Sequence, residues 1–192
     1  MRKKSHISLA RYMVESLNDE GLRKHKFSFY LGSILPDIKP SFIYKRHEIN
    51  GTFPDIRRHI ERLSEGQKAI RKNGRKYYMD LGQISHYLAD YFTFPHNEIY
   101  DGSLKEHCTY EKKLKYDLRS YIRDIREEGA KGTETSFGNA EALCDFIQMM
   151  HGEYLGRKHN VEDDIRHIVD INQRALCGMM SLLAAKRAEC RA

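Results

Sequence analysis

The sequence is poor in the residues that cross-link a chain or carry it through a membrane. It has no tryptophan, and its four cysteines (Cys108, Cys144, Cys177 and Cys190) are scattered with no Cys-x-x-Cys pair. That spacing argues against sulfur-bound structural zinc. The basic start Met1-Arg2-Lys3-Lys4 leads into an amphipathic stretch and not an apolar leader, which predicts a cytoplasmic protein with reduced, packed thiols. No run approaches the roughly 18 consecutive apolar residues of a membrane helix. There is no alternation of β-branched residues to predict a sheet, no internal repeat, no low-complexity tract and no glycine-rich phosphate loop.

What is present is a helical pattern on a basic chain. The length of 192 residues, with 40% hydrophobic and 31% charged content, suits one domain over residues 1–192 with a real core. A formal charge of +6 fits anionic substrates or surfaces without demanding them. The densest basic run, Lys68 to Lys76, lacks the interleaved aromatics that stack on bases, so it reads as a solvated linker, with a phosphate-facing patch as the alternative.

Helical spacing predicts a first helix over 5–17 and a second, strongly apolar one over 27–35 that stops at Pro36. Thr52 reads as the cap of a third, with Pro54 in its first turn and Ile56, Ile60 and Leu63 on its buried stripe. Asn73-Gly74 and Pro95 bound a long helix over 75–94. Ser103 and Glu106 form a capping box for a helix over 104–128. After a loop at 132–138, helices follow over 140–154 and 161–186, the last capped by Asn160. The expected fold class is an all-α helical bundle.

The chemistry concentrates between residues 86 and 111. His86 and Asp90 stand four apart and share one helix face; His107 and Glu111 repeat the arrangement on the next helix, with His96 between. Imidazole and carboxylate donors of this kind bind borderline or hard metal ions. Chance needs weighing, because ten histidines give about one or two His-x3-acid pairs at random. The sequence has three, and the third, His159/Asp163, straddles a polar helix cap and is set aside. The helix around His86 and Asp90 is apolar nearly all round, so it is expected to be buried. A buried Asp90 needs a cationic partner, and no Lys or Arg lies between Lys76 and Lys105 to supply one locally. Asp37, His47 and His6 are further candidate ligands upstream.

The order Asp37, His47, His86-x3-Asp90-x5-His96 and His107-x3-Glu111, with a histidine near the N-terminus, resembles the zinc-dependent phospholipase C family, whose scaffold the S1/P1-type nucleases share. The most specific stretch is His86-Tyr-Leu-Ala-Asp90-Tyr-Phe-Thr-Phe-Pro-His96. The resemblance implies a helical bundle around zinc. By carry-over, Asp37, His47, His86 and Asp90 hold one ion, and His96, His107 and Glu111 a second. His6, with Asp90 as a bridge, serves a third.

Secreted members of the family complete that third ion with the amino group and carbonyl of an N-terminal Trp, which this chain lacks, so two or three ions are both compatible with the sequence. His59 is an alternative to His47. The implied reaction is phosphodiester hydrolysis, a metal-bound hydroxide attacking phosphorus, with Asp37 as ligand and as the base that orients the water. Lys39, Lys45 or Arg46 is a candidate phosphate contact. The substrate expected is a phosphodiester small molecule or lipid headgroup, with nucleic acid an open possibility. Competing readings are a metal-binding protein without turnover, an HD-type phosphohydrolase, for which the adjacent His-Asp pair is missing, and a plain helical scaffold.

Overall fold

A computed structural model describes residues 1–38, 47–65, 67–128 and 135–189. Among them are the helices α1 (Lys3–Ser16), α2 (Glu20–Lys24), α3 (Lys26–Ile34), α4 (Ile49–Glu65), α5 (Gln67–Tyr91), α6 (Leu104–Glu127), α7 (Ala140–Leu155) and α8 (Val161–Glu189), with a 3-10 turn at Phe94–His96. The described residues contain no strand, so the fold is all-α. None of these helices is long and apolar enough to cross a membrane.

The long helix α5 lies at the centre. Its Leu81, Ile84, Leu88, Ala89 and Tyr91 are fully buried, with Phe92 just beyond its end, and α1, α3, α4 and α8 all pack on it. Apolar residues on several sides of one helix bury it in this way. Between α3 and α5 the two backbones touch. A Cβ on Gly32 would fall 2.0 Å from the Met79 carbonyl oxygen, and one on Gly82 would fall 2.3 Å from that of Phe29. Only glycine permits that approach, and it delivers the end of α3 to the polar face of α5. On the opposite side, Ser85 donates to Asn172 of α8 at 2.7 Å. Gln173 of α8 donates to the Tyr12 hydroxyl of α1 at 3.0 Å.

Several expected boundaries shift. The capping box at Ser103 and the caps at Asn139 and Asn160 form as chemistry dictates. Thr52, however, is not a cap. The helix starts at Ile49, and the buried Thr52 hydroxyl lies 2.7 Å from the Glu48 carbonyl and 2.7 Å from the Tyr91 hydroxyl. Asn73-Gly74 does not break the chain, since α5 runs through it from Gln67 and absorbs most of the supposed basic linker. Gly74 is there for closeness: a Cβ would sit 2.9 Å from the His25 ring. At the other end α5 stops at Tyr91, and Pro95 belongs to the 3-10 turn that carries His96. The short helix α2, capped by Asp19, escaped the periodicity because five residues are too few to show one. Lys39, Lys45, Arg46, Cys190 and residues 132–134 of the expected loop lie outside the described residues. Within them Cys108, Cys144 and Cys177 are free thiols.

Candidate metal centre

Asp90 is the hub. It is completely buried near the end of α5, one turn after His86. Its Oδ2 lies 2.9 Å from His47 Nδ1, 3.2 Å from His86 Nε2 and 3.7 Å from His96 Nδ1. Its Oδ1 lies 3.3 Å from His6 Nε2 and 2.5 Å from the α-amino group of Met1. Five nitrogens from four segments thus converge on one carboxylate.

The His86 ring is oriented from behind. Its Nδ1 is 2.9 Å from the Ser33 carbonyl oxygen at the end of α3. A carbonyl can only accept, so Nδ1 carries the proton and Nε2 presents a lone pair to the site. This is the usual outer partner of a metal-binding imidazole, and the glycine contacts between α3 and α5 make it possible. His86 Nε2 is in turn 3.0 Å from His47 Nδ1 and 3.7 Å from Asp37 Oδ1. His6 stacks on His86 with ring centroids 3.9 Å apart, and both nitrogens of this buried ring lack a hydrogen-bond partner.

The second cluster lies toward the surface. Glu111 Oε1 is 3.2 Å from His96 Nε2 and 3.5 Å from His107 Nε2. The Met1 nitrogen stands between the two clusters, 2.9 Å from His96 Nε2 and 3.3 Å from Glu111 Oε1 as well as beside Asp90. Arg2, which follows it, donates to the Cys108 carbonyl at 3.0 Å and lies 3.9 Å from Glu111.

Burial and charge set the titration behaviour. Burial pushes the Asp90 carboxyl up, but the Met1 ammonium and the imidazoles of His96, His86 and His6 outweigh it and hold Asp90 well below the usual carboxylate range. Glu111 is likewise lowered against its burial, by hydrogen bonds from His107 and His96 and by the ammonium. Burial, then the neighbouring His86, brings His6 down to about 3, so it is a neutral ring with free lone-pair capacity. Burial, together with the ammonium, lowers His96 despite Asp90 and Glu111. Asp37 is raised, mainly by burial. The ammonium itself is raised above its ordinary value because Asp90 and Glu111 overcome its burial.

Three sets of donor atoms come within 4.8 Å of one another: His6, Asp37 and His86; His47, His86 and Asp90; His96, His107 and Glu111. Every residue singled out as a ligand in the sequence is therefore found in this neighbourhood. His47 contacts Asp90, whereas His59, on α4, belongs to none of the three sets. The partition differs from the expected one, since Asp37 groups with His6 and His86 and not with His47.

The donor set fits zinc. It combines imidazole nitrogen with carboxylate oxygen and no thiolate, it leaves the two buried His6 nitrogens without a hydrogen-bond partner, and its Asp90, His96 and Glu111 already surround a cationic nitrogen. The sequence reading missed that nitrogen. No residue type marks a chain terminus as a partner; the signals were Asp90's lack of a local cation and the N-terminal amino group that serves secreted members of the family.

The clusters open into a cavity of about 990 Å³ whose wall includes Asp37, His47, His96, His107 and Glu111. Arg2, Lys3, Lys4 and Lys115 also line it. No curated protein and no solved structure matches the chain. The model of one family, zinc dependent phospholipase C, matches residues 5–161, a span that holds all eight candidate ligands. Over most of its length, then, and with donors suited to that metal at its centre, this chain belongs to the zinc dependent phospholipase C family.

Proposed function

We propose that the protein hydrolyses the phosphodiester bond of phospholipids, with zinc held by His6, Asp37, His47, His86, Asp90, His96, His107 and Glu111. The observation that carries this reading is Asp90, a wholly buried carboxylate whose Oδ2 faces His47 and His86 of the inner cluster and His96 of the outer one, while its Oδ1 faces His6. A carboxylate so placed would help hold zinc together with those imidazoles. Bound zinc supplies Lewis acidity, polarising a phosphoryl oxygen and activating water.

The remaining work falls to the chain. The Ser33 carbonyl keeps His86 in the tautomer that offers Nε2. Asp37, on the cavity wall beside His86, orients the attacking water and takes its proton. Arg2, Lys3, Lys4 and Lys115 draw the anionic phosphate into the mouth and offset the charge gathering on its oxygens. Water's oxygen bonds to phosphorus as the bond to the glycerol oxygen breaks, and the proton ends on the diacylglycerol released with the phosphorylated headgroup. Nothing in this sequence of events requires a covalent enzyme intermediate, so the exposed Cys108 has no part in it.

The test is a panel of phospholipid vesicles, a soluble phosphodiester and single-stranded nucleic acid, offered to zinc-loaded protein. Diacylglycerol release that disappears in Asp90→Asn and His86→Ala is expected. Hydrolysis of the nucleic acid alone would transfer the reading to a nuclease. Stoichiometric zinc with no turnover of any diester would sink it.

A further inference from the structure

Asp164 lies on α8, beyond the last residue of the family match, and belongs to none of the metal-binding sets. It is completely buried, and both its oxygens are used. Oδ2 accepts from the Phe94 backbone N–H and from the Tyr110 hydroxyl, each at 2.8 Å, while Oδ1 accepts from the Tyr154 hydroxyl at 2.8 Å. All three donors are neutral, and a carboxylate is costly to bury on such terms unless its position matters.

The two groups bound to Oδ2 stand beside two ligands. Phe94 precedes His96 by two residues in the 3-10 turn, and Tyr110 immediately precedes Glu111 on α6. A turn of three residues has little rigidity of its own. Its cap residue, Thr93, makes no side-chain cap bond, because the Thr93 hydroxyl is spent on the Ala89 carbonyl at 2.9 Å. The first N–H of the turn, that of Phe94, would be orphaned. Asp164 caps it from another helix and, with the same oxygen, holds α6.

We propose that Asp164 is a positioning residue that fixes His96 against His107 and Glu111 and so sets the zinc affinity of that one cluster. This rests on the reading that the cluster holds an ion. In the other cluster His86 has supports of its own, the Ser33 carbonyl and the contact of α3 with α5, so the effect is selective.

Zinc affinity of the full chain, read by competition with a chromophoric chelator, tests this. Asp164→Asn should weaken one class of ion about 10–100-fold, the range for outer-shell partners of metal ligands, and leave the other class unchanged. Combined with His107→Ala it should add nothing to the loss that His107→Ala causes alone, whereas combined with His47→Ala the losses should add. A general destabilisation would lower the melting temperature without that selectivity. Unchanged binding of every ion, or equal weakening of all of them, would overturn the assignment. Should Asp164→Asn fail to fold, Tyr110→Phe removes a single donor and decides by the same criteria. Absence of zinc from the unaltered protein would count against the metal centre itself, which separates that failure from this one.

Discussion

The amino nitrogen of Met1 lies 2.5 Å from Asp90 Oδ1, across 89 positions of sequence. It brings the very start of the chain into the interior and surrounds it with Asp90, His96 and Glu111. The charge that Asp90 lacks locally is therefore provided by a terminus. A cation already sits among groups suited to hold metal.

Extending the chain by Gly-Ser ahead of Met1 tests that placement. The ammonium, which on losing its proton can turn a lone pair to zinc, becomes an amide that cannot, and the added residues enter the cavity that Met1 helps to line. Zinc retention after dialysis is expected to fall at least about tenfold, the scale of a lost partner at a metal ligand. The far-ultraviolet circular dichroism should stay helical. Equal zinc affinity with and without the extension would show that the amino group does not matter.

Asp90→Asn separates metal binding from folding. In chelator, the substitution takes from the buried Met1 ammonium the nearer of its two carboxylate contacts and leaves Glu111 at 3.3 Å, and breaking a buried pair of this kind costs about 3–5 kcal/mol. Urea unfolding of the metal-free protein should record that loss. With zinc added, the unaltered protein gains about 2.7 kcal/mol for each ion at 100 times its Kd, and the variant should gain much less.

Gly82→Ala probes the link from the α3–α5 contact to the site. The new methyl would stand 2.3 Å from the Phe29 carbonyl oxygen and 2.9 Å from the Ser33 nitrogen. Backbone cannot yield as a side chain can, so the helices must part. A loss of about 1–3 kcal/mol or more is expected, with weaker zinc binding because the Ser33 carbonyl leaves His86. An unaltered zinc affinity in a folded Gly82→Ala protein would break the proposed connection.

His151 gives the pH dependence. It is buried on α7, its Nε2 lies 2.9 Å from Asn97 Oδ1, and burial brings it from 6.5 down to about 4. The unfolded chain then binds the proton first. Stability is complete above pH 6.5 and is lost as the pH falls toward 4, by about 3 kcal/mol at 1.36 kcal/mol per unit. In chelator, His151→Gln should flatten that part of the stability profile. A slope identical to that of the unaltered protein would remove His151 as its source.

Much of this molecule is visible without coordinates where the controlling interactions are local. The i,i+4 pairs His86/Asp90 and His107/Glu111 follow from helical periodicity, and the two members of each pair fall in one cluster of the fold. Burial of α5 follows from its apolar residues, and the capping box at Ser103 from the chemistry of unpaired N–H groups. The cap expected at Thr52 and the break expected at Gly74 failed for a long-range reason. Thr52 finds Tyr91 on another helix, and Gly74 makes room for His25.

The sequence by itself determined an all-helical chain bearing nitrogen and oxygen donors on one buried helix face, because the helix repeat and hydrophobic burial act over a few residues. Tertiary packing alone decided which distant groups meet those donors: the Met1 amine on Asp90, the Ser33 carbonyl on His86, His47 in place of His59, and Asp164 beneath the turn of His96. Each of these pairings joins residues far apart in the chain. Their partners are selected by how closely helices approach and by the cost of leaving a buried polar group unmatched, and neither quantity exists until the chain is folded.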